Sequence, residues 1–406
     1  MPDVSVLEIH LYGKKIGTLT LIQGDRSILS FSQEYIDDLN RPTLSLSFKD
    51  NLGGLQTEFR PVQTKVEPFF SNLLPEGPLR RYLAQRAHVK ESREFFLLWA
   101  LGADLPGAIT LRPADGEAWP PPSDNDTAEH AKANAMRFSL AGVQLKFSAL
   151  RNSDKGTGLT IPAKGIGGSW IVKLPAERFE GVPENEFAMM SMAQKLGMDV
   201  PEIRLLDVEE ISGLPEGIGT LKGKALAIKR FDRTEDGPVH IEDFAQVFGA
   251  YPDDKYKKAT YRSIATVLGI ETDDATIEEY IRRLVFSTLI GNADMHLKNW
   301  SLIYPDRRTP RLSPAYDLLS TIPYMKDETA ALKYARTKKM AELNYDELSY
   351  LAAKARLPEQ LVLKAAKHTV EAFMEIWRVE TKNLDVATGV VSAIDAHLKT
   401  LAILKE

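Results

Sequence analysis

Leu289-Ile-Gly291-Asn292-Ala-Asp294-Met-His296-Leu-Lys298-Asn299-Trp300 is the stretch whose interpretation decides the fold. It follows an apolar stripe, Ile277–Ile290, whose spacing predicts a helix. Gly291 and Asn292 are natural helix stoppers, so Asp294, His296 and Asn299 fall on a loop just past a helix end. A second acid follows in Leu312-Ser-Pro-Ala-Tyr316-Asp317-Leu-Leu-Ser320. Between the two, Trp300–Tyr304 and Arg311–Leu312 can pair as a short hairpin across Pro-Asp-Arg-Arg.

Phosphoryl transfer needs positioning, and metal charge to offset the phosphates, more than covalent help. Protein kinases place an Asp and an Asn on one loop, separated by four residues, and a metal-binding Asp further on. Asp294, Asn299 and Asp317 repeat that pattern. An Asp beside the nucleophile can accept a hydroxyl proton, and Asn and Asp offer hard oxygen ligands suited to Mg²⁺. Gly-Asn-Ala-Asp alone is equally a helix cap with an Asx turn. The following DxHxxN spacing and the Tyr-Asp return favour chemistry.

Working outward, Ser169-Trp-Ile-Val-Lys173-Leu-Pro175 sets a lysine in a strand. Lys173 can reach nucleotide phosphates, or it can be a lysine that blunts a sheet edge. Glu184-Asn-Glu186 opens a predicted helix, Glu184–Leu196. Glu186 either pairs with Lys173 or simply favours a helix N-terminus. Phe138-Ser139-Leu-Ala141-Gly142-Val143-Gln144-Leu145-Lys146-Phe147 flanks a small turn with strand-like residues. Its glycine and turn amides can approach an anion, although a glycine in a hairpin is usually structural. Ala225-Leu-Ala-Ile-Lys229-Arg230-Phe231-Asp232-Arg233 ends a strand where the chain turns helical. It is either a hinge between lobes or an ordinary strand end with an Asp–Arg pair.

The order of elements is mixed, then β-rich, then helical. Residues 1–113 give a small α+β unit: a hairpin over 4–22, strands at Ser27–Phe31 and Leu44–Phe48, and helices at Leu79–Ala87 and Glu91–Gly102. Residues 114–134, with Pro120-Pro-Pro122, form a linker or exposed loop. Strands at Arg137–Leu150, Leu159–Pro162, Trp170–Leu174, Ile203–Val208 and Lys224–Phe231 place a β-rich lobe at 135–232. Strand signals then almost disappear. Ala259–Leu268, Ile277–Ile290, Tyr345–Ala355, Glu359–Val379 and Ala387–Leu404 make 233–406 a helical lobe.

Composition bounds the chemistry. Hydrophobic residues are 44% and charged residues 26%, an ordinary globular balance over 406 residues. The absence of cysteine excludes disulfides, zinc–thiolate sites and cysteine nucleophiles. The net charge of -5 argues against coating nucleic acid by bulk charge. One basic cluster, Lys333, Arg336, Lys338 and Lys339, is either a phosphate contact or a solvated helix face. Met1–His10 lacks a basic start followed by an apolar run, so no signal peptide is expected, and the most apolar run, Phe95–Ala103, is too short for a bilayer. The expectation is a soluble cytoplasmic protein.

Seven segments resemble, in order, those of the HipA family of toxin kinases. They are Phe69–Gly77, Ser139–Lys146, Ile171–Pro175, Glu184–Glu186, Lys229–Arg233, Gly291–Asn299 and Tyr316-Asp317. The resemblance covers nearly the whole chain. It implies an α+β, two-lobed fold similar to protein and phosphoinositide kinases, with a small N-terminal subdomain and an all-helical C-terminal lobe. It implies a serine/threonine kinase using ATP and Mg²⁺, with Asp294 as base and His296 and Lys173 beside it in catalysis. Asn299 and Asp317 would hold the metal. Ala141, Gly142, Val143, Gln144, Lys146, Lys173, Lys229, Arg230, Phe231 and His296 would contact the nucleotide. Ser139 stands where the family carries an inactivating autophosphorylated serine. A helix-turn-helix, HipB-like antitoxin is the implied partner, and operator DNA is reached mainly through it. The implied substrate is a translation protein, for some family members an aminoacyl-tRNA synthetase. Lys229, where some members have an acid, and apolar Val143 and Leu145 depart from the pattern; neither removes a catalytic group. A silent repression partner, or a small-molecule or lipid kinase on the same scaffold, remains the alternative, since phosphoinositide kinases share the DxHxxN loop.

Overall fold

The computed structural model describes residues 4–50, 52–86, 89–114, 146–151, 159–160, 168–175, 179–214, 221–325, 329–382 and 384–406. Strands β1 (Val6–Leu11), β2 (Lys14–Ile22), β3 (Arg26–Phe31), β4 (Val62–Gln63) and β5 (Ile109–Pro113) form an antiparallel sheet of order β4-β3-β2-β1-β5. Alternation decides which face is inside: Leu7, Ile9 and Leu11 are buried while their neighbours are half-exposed. Leu7 stands opposite Leu19, and Leu19 opposite Leu29, so one face is a continuous apolar ladder. A short helix α1 (Gln33–Asp37) follows β3. Helices α2 (Pro68–Ser71), α3 (Gly77–Arg86) and α4 (Glu94–Leu101) complete the unit. Every residue of α4 is buried, as an all-round apolar helix must be.

The second sheet has the order β10-β7-β6-β8-β11-β9. Its strands are β6 (Lys146–Arg151), β7 (Leu159–Thr160), β8 (Trp170–Lys173), β9 (Ile203–Asp207), β10 (Ile211–Ser212) and β11 (Lys224–Lys229). Helix α5 (Val182–Lys195) packs on it, with Met189, Met190 and Ala193 in one cluster with Leu226 and Ile228. The helical lobe follows a small hairpin, β12 (Arg233–Thr234) and β13 (Gly237–Pro238). In a third sheet of β14 (His240–Asp243), β15 (Ser301–Tyr304) and β16 (Arg311–Leu312), the central strand β15 carries the chain out of the loop at Asp294. Around it lie α6 (Phe244–Val247), α7 (Tyr261–Glu271), α8 (Asp274–Leu289), α9 (Tyr345–Ala355), α10 (Glu359–Glu380) and α11 (Thr388–Leu398). Trp300 sits within 6.2 Å of the Tyr261 ring and 4.9 Å of the Tyr280 ring, fixing the far end of that loop in the core. No helix among the described residues is long and apolar enough to cross a membrane.

Several expectations are corrected. Leu44–Phe48 is not a strand but a 3₁₀ turn at Leu46–Phe48 capped by Ser45. The buried Glu242 carboxylate accepts from the Ser45 hydroxyl and from the Leu46 amide at 3.0 Å, so the backbone donor is met without a strand partner. Strand β14 was not expected, because His240 and Glu242 are its buried residues and give no apolar alternation. The C-terminal helix stops at Leu398, with a 3₁₀ turn at Ala402–Leu404. The basic cluster is not a helix face: Lys333–Lys339 is a loop whose Arg336 pairs with Asp346 and Glu347, each at 2.6 Å. The expected strand at Arg137–Leu150 begins outside the described residues.

Candidate active site

Helix α8 starts on Asp273, whose side chain accepts from the Thr276 amide at 2.9 Å, and ends at Ile290. Gly291 takes φ +67°, and a Cβ there would meet Ile322 Cδ1 at 2.5 Å, so conformation and space both demand glycine. The chain then doubles back on itself. Buried Asn292 accepts from the Asp294 amide at 3.0 Å and donates Nδ2 to the Asp317 carbonyl at 3.1 Å. Asn299 donates Nδ2 to the Asp294 carbonyl at 2.8 Å. Two side-chain amides thus hold the loop of Asp294 and the segment of Asp317 in one register. Asp317 itself has φ +54°, uncommon for a non-glycine residue and held by those bonds.

Lys173 ends β8, with β6 on one side and β11 on the other. It is no edge-strand lysine: it is 3% exposed, and its ammonium is shared between Glu186 of α5 and Asp317. Glu186 is buried, so pairing with Lys173 accounts for it better than a preference for a helix end. Burial acts to lower the Lys173 pKa, but Asp317 and Glu186 outweigh it and the net direction is up. Lys173 therefore stays charged. Asn185, next in α5, donates to the Ser320 carbonyl at 2.8 Å and accepts from its amide at 3.1 Å. That reciprocal pair locks α5 to the segment carrying Asp317.

Lys173, Glu186, Asp294, Asn299 and Asp317 line one cleft of about 300 Å³, within the size range of small-molecule sites. Ile171, Ile228, Phe231 and Leu319 give it an apolar wall. The Phe231 and Tyr316 rings lie 6.0 Å apart at 31°. Lys229 lines the cleft too, its amide bonded to the Glu202 carbonyl at 2.8 Å. Arg230 does not. Its guanidinium is fully buried away from the cleft, donating to Asp232 at 2.8 and 2.9 Å and to Asp104 at 3.3 Å, and its amide is bonded to Ser169. The Arg230 side chain thus ties the end of β11 to Asp104 of the N-terminal unit, which leaves only its backbone to face a nucleotide. Ser139, Ala141, Gly142, Val143 and Gln144 lie outside the described residues. The Lys146 backbone stands opposite Lys173 in the sheet.

The other side of the cleft holds Glu76, Lys255 and Tyr256, none of which the sequence singled out for a role, beside His296, which it did. Tyr256 donates its hydroxyl to Asp294 Oδ1 at 2.5 Å. Glu76, from the N-terminal unit, pairs with Lys255 at 2.7 Å and Lys298 at 3.1 Å. Lys298 also donates to the Asn72 carbonyl at 3.0 Å. Phe69–Gly77 was singled out as a family segment, but nothing in it announced that Glu76 reaches a loop more than 200 positions on. His296 is buried against Tyr256, ring centroids 5.0 Å apart and edge-on. Its Nδ1 has no hydrogen-bond partner among the described residues. Burial, helped by Lys255, pulls its pKa down to about 3, so the ring is neutral at ordinary pH.

The donor set fits a nucleotide with a divalent cation. Asn299 spends its Nδ2 on the loop, leaving Oδ1 as the atom for a cation beside the Asp317 carboxylate. Two protein oxygens suit Mg²⁺, which keeps water and phosphate ligands rather than taking an all-protein cage.

A β-rich lobe with a buried Lys–Glu pair, facing a helical lobe with an Asp-and-Asn loop and a second Asp, defines a two-lobed kinase-like α+β protein. The HipA-like C-terminal domain matches residues 138–377 and the HipA N-terminal domain residues 7–112. A protein of Sinorhizobium fredii bearing the name "Putative kinase Y4dM" is 63% identical over 407 residues, covering 100% of this chain and 99% of its own. The serine/threonine-protein kinase toxin HipA of Shewanella oneidensis is 27% identical over 355 residues, 78% of this chain and 76% of that one. Among solved structures, the complex of Shewanella oneidensis HipA, HipB and operator DNA matches with a TM-score of 0.70 at 22% identity, over 98% of this chain and 96% of that chain. The chain belongs to the HipA family of kinases.

Proposed function

We propose that this protein transfers the γ-phosphoryl group of ATP to a serine or threonine hydroxyl of a protein, as the toxin of a toxin–antitoxin pair. The observation that carries the reading is the Lys173 ammonium held between Glu186 and Asp317, in the same cleft as Asp294. Asp294 accepts the proton of the attacking hydroxyl as its oxygen bonds to the γ-phosphorus and the bond to the ADP oxygen breaks. Lys173 holds the phosphates, and Ile171, Ile228 and Phe231 enclose the base. Neutral His296 keeps one ring N–H, positions the nucleotide through hydrogen bonding and transfers no proton. Asn299 and Asp317 hold Mg²⁺, which when bound offsets the charge gathered on the phosphates.

Autophosphorylation at Ser139 would shut the kinase off by placing about two negative charges beside the phosphate site. A HipB-like helix-turn-helix antitoxin is the proposed partner, since the structurally similar HipA assembles with HipB and operator DNA. The net charge of -5 favours contact with DNA through that partner. The proposed substrate is a translation protein, with aminoacyl-tRNA synthetases first in line, acted on in the cytoplasm. Phosphoproteomics on cells expressing the wild type or Asp294→Ala tests this. Phosphoserine or phosphothreonine sites that appear with the wild type alone support it, and indistinguishable profiles with equal growth arrest refute it.

A further inference from the structure

We propose that Tyr256 is a gate on the acceptor side of the cleft, its phenol taking the hydrogen bond to Asp294 that the acceptor hydroxyl takes during transfer. The proposal deepens the kinase reading above and rests on it.

The Tyr256 hydroxyl donates to Asp294 Oδ1 at 2.5 Å, the geometry that a substrate hydroxyl must adopt to surrender its proton to that carboxylate. Burial and the Asp294 carboxylate both raise the phenol's pKa, so it keeps its proton and remains a donor. Yet the residue is 40% exposed and stands at the mouth of the cleft rather than in the core. Its ring meets His296 only edge-on.

The backbone beneath it is fixed. Lys255 is buried, bonds Glu76 of the N-terminal unit at 2.7 Å, and accepts the Leu297 amide of the catalytic loop on its carbonyl at 3.3 Å. One residue is therefore anchored on both sides while the next carries an exposed ring. The ring can turn out about its own χ1 with no loop movement, which is what a replaceable plug requires. An acceptor serine or threonine that displaces the phenol gains the same bond to Asp294. Water is smaller and is held off the base while the phenol is in place. This gives a physical reason for low futile hydrolysis, in which a water oxygen would bond to the γ-phosphorus, the bond to the ADP oxygen would break, and the water proton would pass to Asp294 and then to solvent.

The test uses the full chain with Mg²⁺-ATP, and compares wild type, Tyr256→Phe, Asp294→Asn and the double variant. Phenylalanine keeps the edge contact with His296 and removes only the hydroxyl. Phosphate release without acceptor should rise roughly tenfold in Tyr256→Phe, the scale of one lost charge-assisted hydrogen bond. The rise should vanish in the double variant. With casein as acceptor, KM should fall in Tyr256→Phe and account for the change in kcat/KM. A purely structural tyrosine would move melting temperature or kcat and leave this KM split absent. If wild type phosphorylates casein and Tyr256→Phe matches it in phosphate release and KM, the gate is wrong and the kinase reading stands. If wild type neither binds Mg²⁺-ATP nor transfers phosphate, the kinase reading falls and the gate falls with it.

Discussion

Lys298, on the loop of Asp294, and Glu76 of the N-terminal unit lie 3.1 Å apart, joining two parts of the chain that the sequence presents as separate. Glu76 also holds Lys255 at 2.7 Å. Burial works against the Glu76 charge, but Lys298 and Lys255 overcome it and hold the carboxyl near a pKa of about 2. The N-terminal unit is thus part of the cleft's electrostatics, since Lys255 neighbours Tyr256 and Lys298 neighbours Asn299.

Removing Glu76 leaves two buried ammonium groups without their carboxylate. Glu76→Ala should destabilise the fold by about 3–5 kcal/mol, the usual result of breaking a buried pair from one side. The sign of the pH effect follows from the depressed folded pKa. The contribution is complete above the reference value of 4.5 and is lost as pH falls toward about 2. Melting temperatures of wild type and Glu76→Gln, followed from pH 6 to pH 2, should converge at the acid end. Parallel curves would contradict the pairing.

Lys173 carries a prediction with two halves. Lys173→Met strands Glu186 and Asp317 as like charges in a low-dielectric cleft, so stability and phosphoryl transfer should both drop. Adding Glu186→Leu should restore part of the stability, because it removes the like-charge repulsion and the more deeply buried carboxylate, with Asp317 as the remaining acid. Transfer should stay down by about 10²-fold or more, since the cation at the phosphates is still missing. Calorimetry and a phosphoryl-transfer assay on the two variants separate the halves. Recovery of transfer in the double variant would show that Lys173 is only a scaffold.

What was legible in the sequence was local. Asp294, Asn299 and Asp317, which the structure brings to one cleft, stood out because a glycine and an asparagine stop a helix and because the spacing to the next acid is characteristic. What was hidden depends on approach across long sequence distances. Tyr256 is one tyrosine among thirteen, and nothing near it says that its hydroxyl meets Asp294. Strand β14 was invisible because its inward residues are His240 and Glu242, polar groups met by Leu44, Ser45, Leu46 and Tyr304. The pairing of the Arg230 side chain was hidden for the same reason: its partner Asp104 is 126 positions away in the chain.

Arg230→Met therefore acts on stability rather than on nucleotide. It leaves Asp104 and Asp232 buried with Arg233 as their remaining cation, at 2.8 and 2.9 Å. A loss of about 3–5 kcal/mol is expected for one-sided removal of so buried a partner. At a temperature where the variant is folded, its Kd for ATP should match that of wild type by titration calorimetry. A tenfold weaker Kd in the folded variant would give the Arg230 side chain a part in holding the nucleotide.

His296 makes the sharpest prediction about pH. Its folded pKa of about 3 lies below the ordinary 6.5, so the folded state excludes the proton. Its contribution to stability is complete above 6.5 and declines as pH falls toward about 3. Through pH 5 to 9 the ring stays neutral, and it cannot impose an acid limb near 6.5 on the rate. The pH profile of kcat/KM for wild type and His296→Gln should have the same shape, with the variant lower throughout because the ring no longer lines the cleft. A limb between pH 6 and 7 in wild type that disappears in His296→Gln would make His296 an acid–base group and overturn its assignment as a neutral positioning residue.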